Sequence, residues 1–171
     1  SASPSVIGSG PSLGSDIFRV IGDITTALQG ASRACRALGL EVVVTAPMTG
    51  AAREYGQHLA SESTHLLSHQ VVVAGGETTV RVAGSGRGGR NQEVALAAAV
   101  EIEGTGAVIG SIGSDGIDGP TPHAGAIVDG DTVSRGMNAG LDAVASLDDN
   151  NSANYLEATA DVVDTGPTGT N

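Results

Sequence analysis

Hydrophobic and polar positions alternate along this chain in two rhythms, one of strands and one of helices. Residues 17–21 read as a short apolar strand. Asp23 or Thr25 then caps a helix running to Leu38, with Ala27, Leu28, Ala31, Ala34, Cys35 and Leu38 on one face. Gly39 stands where a helix-ending glycine belongs. Residues 40–45 are β-branched and apolar, as in a buried strand. Residues 50–66 read as a helix, and 71–74 and 78–83 as two strands around Gly75-Gly76. Residues 90–102, alanine-rich and apolar on most sides, predict a buried helix. Strands are expected at 107–112 and 124–128. Asp131 caps a helix through Leu147, with Val133, Met137, Leu141 and Val144 inward. A polar turn at 148–152, a short helix near Tyr155 and a strand at 162–163 complete the pattern. Alternating strands and helices predict an α/β domain whose mixed, largely parallel sheet is covered by helices on both faces.

Composition fits one globular domain. The 171 residues are 40% hydrophobic but only 2% aromatic, so aliphatic side chains must build the core. The 26 glycines cluster between apolar runs, which predicts tight turns. Charge changes the picture further. The net charge is −11, and all 8 basic residues are arginine. Such a surface repels nucleic acid and anionic membranes. It suits a salty cell interior, where the Debye length falls to about 3 Å at about 1 M. No apolar run approaches the roughly 20 residues of a membrane span, and no leader pattern opens the chain. The single cysteine, Cys35, forms no internal disulfide, and no Cys/His group has metal-site spacing. A cytoplasmic location is expected.

Three glycine-rich loops fall at strand ends, where α/β folds bind ligands. The first is residues 74–79, with Gly75, Gly76, Glu77 and Thr78. The second, 84–93, opens directly into a helix and carries Arg87 and Arg90. Free amides at a helix start and forked guanidinium groups suit phosphate or carboxylate. The third, 113–121, holds Asp115 and Asp118, oxygen donors suited to Mg²⁺, to a polyol or to proton acceptance. Gly84, Gly86 and Gly89 spell G-x-G-x-x-G, but the next strand carries no acid, so a dinucleotide site is not supported. A Walker A loop needs a lysine, and no G-x-S-x-G elbow is present. His58, His65 and His69 read as surface residues, whereas His123 follows the third loop and can line a pocket.

The segments Gly75-Gly76-Glu77-Thr78-Thr79, 86–93 (GRGGRNQE) and 115–121 (DGIDGPT), extended by 124–130 and 166–171, resemble the MOFRL domain of class II glycerate kinases over roughly residues 70–171. The resemblance implies ATP- and Mg²⁺-dependent phosphorylation of D-glycerate to 2-phosphoglycerate, in a cleft between a larger N-terminal domain and this one. It implies that Arg90 contacts substrate or phosphate, and that Glu77, Asn91, Asp115 and Asp118 line the same pocket. Arg90, Asp115 and Asp118 are thus the catalytic candidates, and Asp115 and Asp118 the candidate metal ligands. Gly75, Gly76, Glu77, Thr78, Arg87 and Asn91 are the candidates for binding substrate and phosphate. Relatives sometimes called hydroxypyruvate reductases fit poorly with the missing dinucleotide signature. The family's glycine loop and lysine of the N-terminal domain are not in this sequence. Residues 1–14 resemble the segment that ends that domain, and several dozen residues expected before Arg19 are missing, so 15–171 is expected to be a partial enzyme, inactive by itself. Pro122 stands where relatives often carry an acid. A non-catalytic module binding a phosphorylated or carboxylated metabolite, or a docking scaffold, are the alternatives.

Overall fold

The computed structural model describes residues 23–45 and 47–170. The strand expected at 17–21, and the proposed boundary between residues 1–14 and the domain, lie outside the described residues. The elements are α1 (Ile24–Ala37), β1 (Glu41–Val44), α2 (Ala52–Ser63), β2 (Gln70–Val73), α3 (Arg90–Glu101), β3 (Val108–Ile112), β4 (Gly125–Asp129), α4 (Thr132–Asn138), α5 (Ala143–Asp148), α6 (Ser152–Ala158) and β5 (Val162–Val163). The α/β class is as expected.

β1 and β2 pair in parallel, with Val42 beside Val71 and Val44 beside Val73. Single parallel bridges at Met48–Gly76 and Ala51–Thr79 carry that association into the first glycine loop. The C-terminal half pairs differently. β3, β4 and β5 form an antiparallel sheet in that order. No helix lies between β3 and β4, so the chain returns without the crossover that parallel pairing requires.

α3 is the centre of the packing. Residues 92–99 are all buried, against α2, β3, β4, α5 and α6. Small side chains permit this closeness. A Cβ on Gly56 of α2 would lie 2.3 Å from the Val94 carbonyl oxygen of α3. Leu96, Ile102, Ile109, Val128, Leu147, Tyr155 and Leu156 fill the remaining core. The outer face of the second sheet stays open, with Val108, Ile112 and Ile127 exposed.

Four expectations are corrected. Residues 78–83 form no strand beyond the bridge at Thr79, because the Ala83 and Gly84 amides donate instead to the Asn150 side chain. The helix expected from 131 to 147 breaks into α4 and α5 around Gly140, whose φ of +77° no helix contains. The break resets the apolar face: Val133, Ala143 and Leu147 are buried, while Met137 and Val144 are exposed. Third, the expected apolar face of α1 is largely open, with Ala27, Ala31, Ala34 and Leu38 exposed. Fourth, Val43 and Val44 of β1 are exposed too, since among the described residues β1 has a strand neighbour on one side only.

Candidate functional site

The first glycine loop is fixed by its own backbone. Met48 N–H donates to the Gly75 carbonyl at 2.9 Å, and Glu77 N–H donates to the Met48 carbonyl at 3.0 Å. A Cβ on Gly76 would lie 2.2 Å from the Met48 carbonyl oxygen, so this crossing requires glycine. Thr78 is buried. Glu77, in contrast, projects outward, its side chain 75% exposed.

The second loop departs from its expected use. Its amides were expected to be free for an anion; those of residues 84–87 are occupied. Asn150 Oδ1 accepts from Ala83 and Gly84, Asp149 Oδ1 from Ser85, the Asp149 carbonyl from Gly86, and Asn151 Oδ1 from Arg87. Gly84 allows this lacing, since its Cβ would sit 2.4 Å from the Asp149 backbone. The start of α3 is likewise filled. Asp118 is 1% exposed, and its Oδ1 and Oδ2 accept from the amides of Asn91 (3.0 Å) and Gln92 (2.8 Å). The negative charge that a helix start favours is therefore supplied by the chain itself. Gln92 closes the cap by accepting from Gly89 N–H at 2.9 Å and donating to Thr121 Oγ1 at 3.2 Å.

What remains outward is the Arg90–Glu77 pair, with half-buried side chains completing a rim beside it. Arg90 opens α3, and its Nη1 donates to Glu77 Oε1 at 2.7 Å, with the Arg90 side chain 47% exposed. Asn91 follows, accepting from Ser111 Oγ and donating to Asp118 Oδ1. The Asn91 amide and the Asp115 carboxylate both border Gly113, at 3.3 Å and 3.0 Å from where its Cβ would stand. Asp115 is half-buried, and its Oδ1 accepts from Ile117 N–H at 3.2 Å. Glu77 and Arg90 thus touch directly, while Asn91 and Asp115 both border Gly113. Arg87 turns the other way, its Nη2 donating to Asn154 and to both oxygens of Glu157. Among the described residues, no group of three or more His, Cys, Asp or Glu side chains converges as a metal cage.

Several participants were not foreseen. Asp149, Asn150 and Asn151 lie more than sixty residues from the amides they hold. The turn was visible as a polar run, but nothing in it names its partner. Glu157 and Asp164 flank His123, and residues 164–170 lie along the third loop, where Thr168 N–H donates to the Asp115 carbonyl at 3.0 Å. His58, His65 and His69 are exposed, as expected. An open depression of about 390 Å³ lies against α1 and β1, lined by Thr25, Leu28, Ser32, Arg33, Arg36 and Val44 among others. No described helix is long and apolar enough to cross a membrane.

Comparison with known proteins gives the same picture. The chain is 38% identical over 163 residues to the D-glycerate 2-kinase of Thermotoga maritima, covering 90% of this chain and 39% of that protein. It is 35% identical over 161 residues to a glycerate 2-kinase of Pyrococcus horikoshii, covering 89% and 37%. The crystal structure of a Thermotoga maritima glycerate kinase superposes with a TM-score of 0.83 at 39% identity, over 90% of this chain and 39% of that one. The chain thus spans well under half the length of these relatives. The family pattern described as the MOFRL family matches residues 70–171, which takes in all three glycine loops and the segment that closes over the third. More than half of the sequence is matched, and this chain belongs to the MOFRL family.

Proposed function

We propose that this chain forms one wall of an ATP-dependent glycerate 2-kinase, which converts D-glycerate to 2-phosphoglycerate when an N-terminal kinase domain supplies the opposite wall and its lysine. The carrying observation is the exposed Arg90–Glu77 pair at the start of α3, with the half-buried Asn91 and Asp115 beside it. An ion pair as open as Arg90–Glu77 contributes about 0–1 kcal/mol. An anionic ligand therefore displaces Glu77 at little cost and takes the guanidinium fork.

In the transfer, the C2 hydroxyl oxygen bonds to the γ-phosphorus, and the bond from that phosphorus to the ADP oxygen breaks. Arg90 holds the anionic groups while charge shifts between them. Asp115 accepts the hydroxyl proton. Gly75, Gly76 and Thr78 fix the backbone that carries Glu77. Asp118 acts through α3, holding Arg90 and Asn91 in place, and Arg87 braces the loop from behind through Glu157. Mg²⁺ on a nucleotide keeps several waters and takes one or two carboxylates. Asp115 fits that demand; Asp118, with both oxygens accepting amides, does not. When bound, the ion neutralises phosphate charge. We assign the enzyme to a cytoplasm of high salt, the setting that suits its charge of −11.

The test is to add the N-terminal domain and follow ATP- and D-glycerate-dependent formation of 2-phosphoglycerate. Turnover is expected, and Arg90→Ala should lower kcat/KM by about 100-fold or more. If the joined halves stay inactive while this chain alone gives calorimetric heat with 2-phosphoglycerate, it is a binding module and the kinase reading is lost.

A further inference from the structure

His123 stands outside the rim, yet it is the most heavily engaged histidine among the described residues. Its side chain is 13% exposed. Nδ1 lies 2.5 Å from Asp164 Oδ1, and Nε2 lies 2.9 Å from Glu157 Oε1. Both ring nitrogens thus face carboxylates, which can only accept. A neutral imidazole carries one N–H and satisfies one of them; the imidazolium satisfies both. Three elements meet at this ring: the run between the third loop and β4, helix α6, and the segment after β5. The charged groups facing it are Glu157 and Asp164, with Arg87 behind Glu157.

Asp164 begins the segment that closes over the third loop. Thr168 N–H donates to the Asp115 carbonyl, and the Thr168 and Thr170 hydroxyls both donate to the Ser114 carbonyl. A Cβ on Gly116 would lie 2.0 Å from the Gly166 carbonyl oxygen, so the two backbones are in direct contact. The backbone of the Asp115 loop is therefore held by the segment 164–170, whose first residue, Asp164, is held in turn by His123.

We propose that His123 is a positioning residue: as an imidazolium it pins residues 164–170 over the third loop and so fixes Asp115. The functional meaning of this pin rests on the kinase reading; the pin itself does not. When the ring loses its proton, one contact must go. Glu157 keeps Arg87, whose Nη2 donates to both its oxygens. Asp164 has no second cation among the described residues, and its side chain is 67% exposed, so water replaces the ring there. Asp164 is released first. Burial opposes charge on the ring, but the hydrogen bonds it donates to Asp164 and Glu157 outweigh it and raise its pKa above the ordinary imidazole value. The pin is therefore set below the ordinary imidazole range and lost as pH rises through the raised value.

The experiment is amide hydrogen exchange and histidine NMR on the ligand-free 171-residue chain at about pH 6 and about pH 9, corrected for intrinsic exchange. Protection of residues 113–118 should fall about tenfold at the higher pH, and the His123 ring should titrate above the ordinary imidazole value. In Asp164→Asn, an exposed change that spares the core, protection should be low at both pH values and independent of pH. His123→Gln should behave alike. A His123 ring that titrates at or below the ordinary imidazole value overturns the proposal, as does pH-independent protection in the parent chain. Neither readout involves turnover, so an inactive joined enzyme leaves this result standing. Activity with an unmoved loop would sink the pin alone.

Discussion

Asp118 shows how a carboxylate in a glycine-rich motif can be structural in its contacts. Replacing it with alanine leaves the half-buried Asn91 and buried Gln92 amides at the start of α3 without an acceptor and should cost about 2–3 kcal/mol, read from urea denaturation. Asp118→Asn keeps an acceptor and should cost less. Glu93, one turn on, is a buried acid held mainly by Asn150 Nδ2 at 3.3 Å. Burial raises its pKa, partly offset by that hydrogen bond and by Arg53. A carboxyl whose folded value lies above its unfolded one favours folding when protonated. Its penalty is therefore absent at acid pH and sets in as pH rises through that interval. Glu93→Gln should flatten this part of the stability curve, raising the urea midpoint at neutral pH relative to acid pH. The aspartates themselves were legible in the sequence as candidates. Their different fates were not, because only the folded chain shows which carboxylate meets the amides of α3.

Among the elements, the legible ones were those with a single strong rhythm. The alanine-rich run became α3 with the expected start, and the apolar runs at 71–74, 107–112 and 124–128 became β2, β3 and β4. The 131–147 region failed because Met137 and Val144 continue a helical spacing across Gly140, and periodicity alone does not weigh one glycine. Residues 78–83 alternate like a strand but are held by an asparagine far along the chain. Helix contact gives a sharper prediction. Gly56→Ala places a methyl carbon 2.9 Å from Ala97 Cβ as well as against the Val94 carbonyl, so α2 and α3 must separate. A loss of about 1–3 kcal/mol is expected in thermal or urea unfolding, larger than a gain in helix propensity returns.

For the whole molecule, nineteen acids against eight arginines leave a net charge of −11. Repulsion of that size weakens the compact state and is screened by salt. The urea midpoint should rise steadily as KCl is taken from about 0.1 M to about 2 M, beyond the rise seen in a charge-balanced protein of like size. An unchanged midpoint would remove the case for a salt-rich setting. The family was legible from the order of its glycine loops, whereas the direction in which each loop faces was not.

The lacing of residues 83–87 to 149–151 also has a temporal consequence. Contacts across more than sixty residues form slowly, because a long intervening chain must first be brought to closure. On the ribosome, residues 83–87 cannot reach their final shape until residues 149–151 have emerged. Synthesis that halts before residue 149 leaves a product with most of the helical core sequence but an unmoored loop at 83–87, a natural target for proteolysis.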